Sequence, residues 1–266
     1  MTEIRHLQLV ILQIIKDIDT VCRNNGITYY LYGGSAIGAV RHQGFIPWDD
    51  DLDIIMTHDN YARFLAVARE QLPRGKYFVQ EGRRDWPLAY SKVKLIGTHV
   101  REAEGFAKDA TQDGIFVDIF KMDNTSSRKT AQLWQYVCAK YYLCYLMNKR
   151  SYKTASWQKK MLMAASFPLK NATLRRFFVG QAERYNKLGD TTTFVGSFYE
   201  PKRFHTCIFP RRVFGTPKIV PFEDTMLPIP EDCDAYLRQV FGEYMQLPPV
   251  EERQWKHLQQ IDFGTY

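Results

Sequence analysis

Leu31-Tyr32-Gly33-Gly34-Ser35-Ala36-Ile37-Gly38-Ala39-Val40-Arg41-His42-Gln43-Gly44-Phe45-Ile46-Pro47-Trp48-Asp49-Asp50-Asp51-Leu52-Asp53-Ile54-Ile55 is the stretch on which the reading of this chain turns. Asp49, Asp50, Asp51 and Asp53 crowd four carboxylates into five positions, just downstream of a glycine turn and a hydroxyl. Such charges repel one another unless water or a divalent cation screens them. Hard cations such as Mg²⁺ take oxygen ligands, typically one or two carboxylates plus the phosphates of a substrate. Backbone N–H groups at a glycine turn or a helix start can cradle those phosphates.

The local pattern sharpens this. Leu52, Ile54 and Ile55 read as a buried strand in which Asp51 and Asp53 alternate with the apolar residues. Residues two apart on a strand share a face, about 7 Å from each other. Ser35 reads as the cap of a helix over Ala36–Arg41, whose positive end favours an anion. Each half also has a plainer reading. Gly-Gly-Ser makes ordinary turns and caps, and an acidic run is a solvated loop or a calcium site. The two halves together, with a strand behind them, favour a site for phosphate and metal. No Gly-Lys-Ser/Thr closes the glycine turn, which argues against a P-loop.

Outward from this stretch, Leu7 to Asn24 has helical apolar spacing and Thr28–Leu31 reads as the first strand. Leu52–Met56 is the second strand, and Asp59 to Gln71 a helix ended by Pro73. Tyr77–Gln80, Ser91–Ile96 and Ile115–Phe120 follow as strands. The region of Pro217, Pro221, Pro228 and Pro230 reads as poor in strand, and Asp232 to Tyr244 as a closing helix. The order predicts an α+β chain, a mixed sheet flanked by helices. Asp118 sits inside the apolar run Ile115-Phe116-Val117-Asp118-Ile119-Phe120, where an unsatisfied carboxylate is costly. It is either a strand-end residue bonded to a backbone turn or a third carboxylate for the metal. Asp113 and Asp123 read as loop residues.

The long stretch quoted above resembles the signature of the LicD family, a branch of the nucleotidyltransferase-fold superfamily related to fukutin. The likeness continues at Asp113-Gly114-Ile115-Phe116-Val117-Asp118-Ile119-Phe120. It returns at Val220-Pro221-Phe222-Glu223, Ile229-Pro230, Tyr236-Leu237-Arg238 and Phe241-Gly242-Glu243-Tyr244-Met245. The resemblance implies a nucleotidyltransferase-like sheet and a metal-dependent transferase. Its reaction would move a phosphoalcohol, with phosphocholine the leading choice, from a CDP-activated donor to a hydroxyl of a cell-surface glycan or its lipid-linked precursor. Such chemistry modifies lipopolysaccharide, capsule or teichoic acid. Asp51, Asp53 and Asp118 then hold Mg²⁺, with Mn²⁺ as a substitute, and Asp118 accepts the acceptor's proton. Gly33, Gly34 and Ser35 meet the phosphates. Arg41 and Lys92 are candidate phosphate partners or solvated surface residues. Trp48, Trp86 and Tyr90 are candidates to face a quaternary ammonium, against the plainer role of packing. Two alternatives stay open. One is a nucleotidyltransferase that attaches a nucleoside monophosphate, and the other a silent glycan- or membrane-binding module.

Composition bounds the rest. The chain has 266 residues with 45% apolar content, enough for a large core. Cys22, Cys138, Cys144, Cys207 and Cys233 form no Cys-x-x-Cys pair, so reduced thiols are expected. Glu3, Arg5, His6 and Asp17 interrupt any apolar leader, which with reduced thiols predicts a cytoplasmic protein, and a place on the membrane's inner face is the alternative that the basic segment below raises. The net charge of +7 is unevenly spread. Residues 124–182 hold eleven Lys and Arg and no acid, which leaves 25 basic against 29 acidic residues elsewhere. Trp134, Tyr141, Tyr145 and Trp157 punctuate that segment. It reads as two or three helices, broken near Ser151–Ser156 and at Pro168. Their basic faces are either simply solvated or meet an anionic lipid surface. Nucleic acid is not expected, because no nucleic-acid module accompanies the charge. The expected organisation is a catalytic core over 1–123, an inserted basic helical subdomain over 124–182, and a part over 183–266 that completes the core.

Overall fold

Helix α1 (Glu3–Asn24) carries Leu7, Ile11, Ile14, Ile15 and Ile18 along one stripe, and all five are fully buried. In the computed structural model, which describes residues 2–102, 113–150, 152–254 and 258–266, that stripe lies against the central sheet and α3 (His58–Gln71). The sheet runs in the order β1 (Tyr30–Leu31), β2 (Asp53–Thr57), β6 (Phe116–Thr125), β4 (Ser91–Leu95), β3 (Tyr77–Gln80). β2 and β6 are parallel, and the other pairs on that path are antiparallel. β6 is long enough for two partners on one edge. β4 pairs its first half, and β7 (Phe194–Gly196), itself paired with β8 (Ile208–Pro210), takes its last residues. A mixed sheet flanked by helices is the expected α+β, nucleotidyltransferase-like architecture.

The acid-free segment is helical, as its spacing predicts: α4 (Lys129–Lys149), α5 (Trp157–Ala165) and α6 (Ala172–Ala182). Ser156 and Asn171 cap the last two, each accepting a backbone N–H of its helix's first turn. Cys138, Ala139, Tyr142, Leu146, Leu169 and Ala182 form an apolar cluster apart from the main core, together with Phe198 and Cys207. The predicted break at Ser151–Ser156 falls partly outside the described residues, at Ser151.

Three expectations need correction. The proline-rich region near the C-terminus holds a hairpin, β9 (Lys218–Phe222) with β10 (Thr225–Ile229). Both strands of a two-stranded ribbon have a free edge, so Pro221 and Pro228 cost no ladder hydrogen bond there. The first strand is two residues long, and the Thr28 N–H is donated to the Asn60 side chain instead of to a strand. Asp123, expected in a loop, is a buried residue of β6, inside the strand that continues to Thr125. A second ribbon, β5 (His99–Glu102) with β11 (Leu258–Asp262), joins segments about 160 residues apart and leaves no local signal. After β8 come α7 (Arg211–Phe214) and, beyond the hairpin, α8 (Cys233–Phe241), which Asp232 caps through the Ala235 N–H.

α2 (Gly33–His42) leaves β1 directly and packs on the β9–β10 hairpin and α8. A Cβ at Gly38 would collide with the Gly44 carbonyl, so the glycine sets how closely the helix approaches the loop that follows it. Gly38→Ala is expected to cost roughly 1–3 kcal/mol through overpacking. A fall in melting temperature with α-helical signal retained would show it.

Candidate active site

Three residues stand in one row across three adjacent strands. Asp53 at the head of β2 is in register with Asp118 on β6, and Asp118 with Lys92 on β4. Register partners point to the same face of a sheet. Lys92 Nζ lies 3.2 Å from Asp118 Oδ1 and 3.3 Å from the centre of the Phe116 ring. Both charged groups are buried.

The turn above the row is tied to it. Tyr32 donates its N–H to the Asp53 carbonyl at 2.9 Å, and the Asp53 N–H is donated to Ser35 Oγ, also at 2.9 Å. The helix therefore begins at Gly33, not at Ala36, and Ser35 lies inside its first turn. Its hydroxyl fastens β2 instead of capping the helix. Gly33 has φ +55° and donates its N–H to the Tyr236 hydroxyl of α8 at 2.9 Å. The Ser35 N–H turns back to the Tyr32 carbonyl at 3.0 Å. A Cβ at Gly34 would lie 2.7 Å from Asp49 Oδ2, so glycine there admits the Asp49 carboxylate next to the helix start. The glycine turn thus holds the acidic loop in close contact with α2.

The loop is positioned from three other directions. Gln8 of α1 donates to the carbonyls of Ile46 and Asp49 at 3.1 and 3.0 Å. Glu223, at the hairpin turn with φ +55°, pairs with Arg5 at 2.6 Å and accepts the Phe45 N–H. The Arg5 hydrogen bond holds the Glu223 carboxyl below its ordinary range, outweighing the opposing effect of burial. Asp50, 2% exposed, accepts the Leu258 N–H at 2.8 Å. Asp50 therefore anchors β11 to the loop. Asp51 comes just before β2 and is half-buried.

The electrostatics converge on Asp53. Burial and then the charges of Asp51, Asp118, Asp49 and Glu200 push its carboxyl well above the ordinary carboxylate range. A folded protein that concentrates so much negative charge on one half-buried oxygen pair provides an environment that a hard cation relieves. The oxygen donors Asp51, Asp53 and Asp118 fit Mg²⁺ in chemistry. Among the described residues no three His, Cys, Asp or Glu side chains already stand as a complete metal-holding group. One or two carboxylates with substrate phosphates are what Mg²⁺ ordinarily uses.

Glu200 carries no motif, and sequence reasoning missed it. It accepts from the Tyr32 hydroxyl at 2.7 Å and pairs with Lys202 at 3.0 Å, while Lys202 also donates to the Tyr32 hydroxyl at 2.6 Å. Lys140 of α4 donates to the Glu200 carbonyl, which links the helical segment to the site. Tyr32 in turn stacks on Tyr236 at 5.5 Å and meets Phe120 at 5.6 Å.

Of the remaining predicted residues, Tyr90 lies nearest the row. It packs on Phe120 at 4.7 Å, with Lys92 Nζ 5.7 Å from its ring centre. Trp86 is half-buried in the loop before β4, in a bridge with Gly82. Trp48 lies elsewhere, under Arg253 at 5.4 Å and edge-on to His42. Arg41 is at the far end of α2, about 10 Å from Gly34 at the helical rise. Its guanidinium donates to the Tyr244 carbonyl at 2.6 Å. The structure therefore brings together Gly33, Gly34, Ser35, Asp51, Asp53, Lys92 and Asp118, and separates Arg41 and Trp48 from them.

Comparison with known proteins gives a consistent picture. Residues 26–145 match the family model described as LicD/FKTN/FKRP, nucleotidyltransferase domain. The chain is similar to the lipopolysaccharide cholinephosphotransferase LicD of Haemophilus influenzae, 27% identical over 280 aligned positions that cover 97% of each chain. An uncharacterized protein of Rickettsia typhi is 45% identical over 88 residues, 33% of this chain and 25% of that one. One of Rickettsia prowazekii is 46% identical over 52 residues, 20% of each chain.

Proposed function

We propose, on the premise that this chain belongs to the LicD family, that it is a transferase that moves phosphocholine from CDP-choline to a hydroxyl of a cell-surface glycan or its lipid-linked precursor, breaking the diphosphate P–O bond and releasing CMP. The observation that carries the reading is the registered row Asp53–Asp118–Lys92 below the start of α2. The match over nearly the full length of a lipopolysaccharide cholinephosphotransferase supports the choline and glycan assignments.

In this reading Asp51, Asp53 and Asp118 hold Mg²⁺. When bound, the metal ion neutralises charge on the donor's phosphates. Phosphoryl transfer needs positioning and charge neutralisation more than covalent help. Lys92 meets the transferred phosphate, since its ammonium is already aimed at the carboxylate row. Asp118 takes the proton of the acceptor hydroxyl at Oδ2 while Oδ1 stays paired with Lys92. Ser35 and Tyr32 keep Asp53 in register through its backbone. Tyr90, beside Lys92, offers a ring face to the trimethylammonium group. Glu200 and Lys202 hold the Tyr32 hydroxyl and thereby the turn that leads into α2.

CDP-choline with Mg²⁺ is expected to raise the melting temperature, because a ligand that binds only the folded state stabilises it, by about 2.7 kcal/mol at 100 times its Kd. Choline or Mg²⁺ alone should do much less. EDTA should abolish transfer of labelled phosphocholine. Stabilisation by ATP or UTP, with none from CDP-alcohols, would replace this reading with nucleotide attachment.

A further inference from the structure

α5 buries none of its residues, and among them only Met163 is even half-buried. Its apolar side chains have no core to enter. Trp157 is 65% exposed, Met161 61% and Leu162 58%, and Phe167 just beyond is 60% exposed. Phe167, Pro168, Leu174 and Phe177 then line an open groove of about 810 Å³ that continues the apolar surface onto α6. So many exposed large apolar side chains within one short segment of a folded chain mark a surface made to be covered.

The charge around the patch selects what covers it. Lys159 and Lys160 lie on α5 itself, Lys170 on the groove and Arg176 on α6, and all four are exposed. Lys170 Nζ sits 4.3 Å from the centre of the Phe167 ring. A lysine beside an exposed aromatic ring suits a bilayer surface, with the ring among the upper acyl chains and the ammonium among the headgroups. No acidic residue occurs anywhere from 124 to 182, so an anionic surface meets no repulsion there. A second copy of this chain is a poor occupant. A two-fold contact brings the same patch against itself and would set these uncompensated cations face to face.

We propose that α5, the 167–170 turn and the start of α6 form a docking surface for the headgroup and upper acyl region of an anionic lipid bilayer. Trp157, Met161, Leu162 and Phe167 insert, while Lys159, Lys160, Lys170 and Arg176 pair with lipid phosphates. This placement is independent of the transfer chemistry and stands or falls separately from it.

The test is co-sedimentation of the full chain with vesicles of phosphatidylcholine alone and of phosphatidylcholine with phosphatidylglycerol, across a salt series. Binding is expected only to the anionic vesicles and should weaken as salt screens the charges. Lys159→Glu with Lys160→Glu and Lys170→Glu should weaken it roughly 100-fold. Trp157→Ser with Met161→Ser and Leu162→Ser should weaken it at least about tenfold through lost apolar insertion. These side chains are exposed, so an unchanged melting temperature accompanies both losses. Equal binding to neutral vesicles, no binding at all, or full binding by either triple variant would overturn the proposal. So would a wild-type dimer that the serine variant dissociates while lipid binding is absent.

Discussion

Asp53→Asn is expected to lower kcat/KM for phosphocholine transfer by at least about 10³-fold, on the scale of losing a principal electrostatic group of a transfer site, and to raise the melting temperature at the same time. The two effects have one cause. Burial and the charges of Asp51, Asp118, Asp49 and Glu200 all oppose ionisation of the Asp53 carboxyl. An amide of the same shape removes that repulsion and leaves intact the backbone bonds to Ser35 and Tyr32. The gain should be roughly 0.5–2 kcal/mol, the usual yield of relieving a functional conflict. That corresponds to an increase of a few degrees in a chain of this size. Mg²⁺ should then stabilise the wild-type chain measurably and the variant hardly at all. Calorimetry of both proteins with and without Mg²⁺, beside a transfer assay, reads all three quantities. A variant that keeps full activity, or one that loses activity only because it unfolds, would remove Asp53 from the site.

Asp53 and the glycine turn were legible because they lie in one stretch whose spacing maps onto a helix start and a strand, and Asp118 because it is the one carboxylate inside an apolar strand. Lys92 is a candidate phosphate partner or solvated residue in the sequence, and its ion pair with Asp118 follows from the antiparallel register of β4 on β6. The roles inside the turn were not legible. Ser35 looks like a cap in sequence, but the helix begins two residues earlier and its hydroxyl answers to the backbone of β2. Glu200, Tyr236 and Glu223 were beyond reach for the same reason. Each acts on the site across more than 140 residues of chain, through a hydrogen bond or a charge that leaves no trace in local pattern. Arg41 shows the converse. Its place in the family-like stretch suggested phosphate, yet the helix carries it away from the turn to the carbonyl of Tyr244.

The same long-range coupling sets the second large effect, at the seam between the sheet and the helical segment. Glu183, just past α6, accepts from Arg83 at 2.7 Å, Lys121 at 2.8 Å and the Tyr199 hydroxyl at 3.2 Å. Arg83 lies over the Tyr199 ring at 4.2 Å and the Tyr142 ring of α4 at 5.1 Å. Lys121 also pairs with the fully buried Asp123 at 2.9 Å, and Asp123 accepts from Asn186 at 2.7 Å. Glu183 is thus the anion that the two cations share, with Asp123 as the second partner of Lys121. Burial alone would push its carboxyl up, but the charges and hydrogen bonds of Arg83 and Lys121 override that and hold it at about 2. Glu183→Gln leaves Arg83 without its carboxylate and Lys121 with Asp123 alone, and removing one partner from a buried charge cluster costs about 3–5 kcal/mol. The melting temperature should fall by roughly 2–4 °C for each of those kilocalories. The pH dependence separates this cause from lost packing. A carboxyl whose folded pKa lies below its unfolded value of about 4.3 contributes stability that is complete above the unfolded value. That contribution is lost as the pH falls toward about 2. The gap between wild type and Glu183→Gln should therefore be widest at neutral pH and narrow steadily below about 4.3. A gap that stays constant down to acid would assign the loss to shape instead of charge. In that event packing, with the Arg83, Tyr142 and Tyr199 stack at its centre, would hold the seam between helices and sheet.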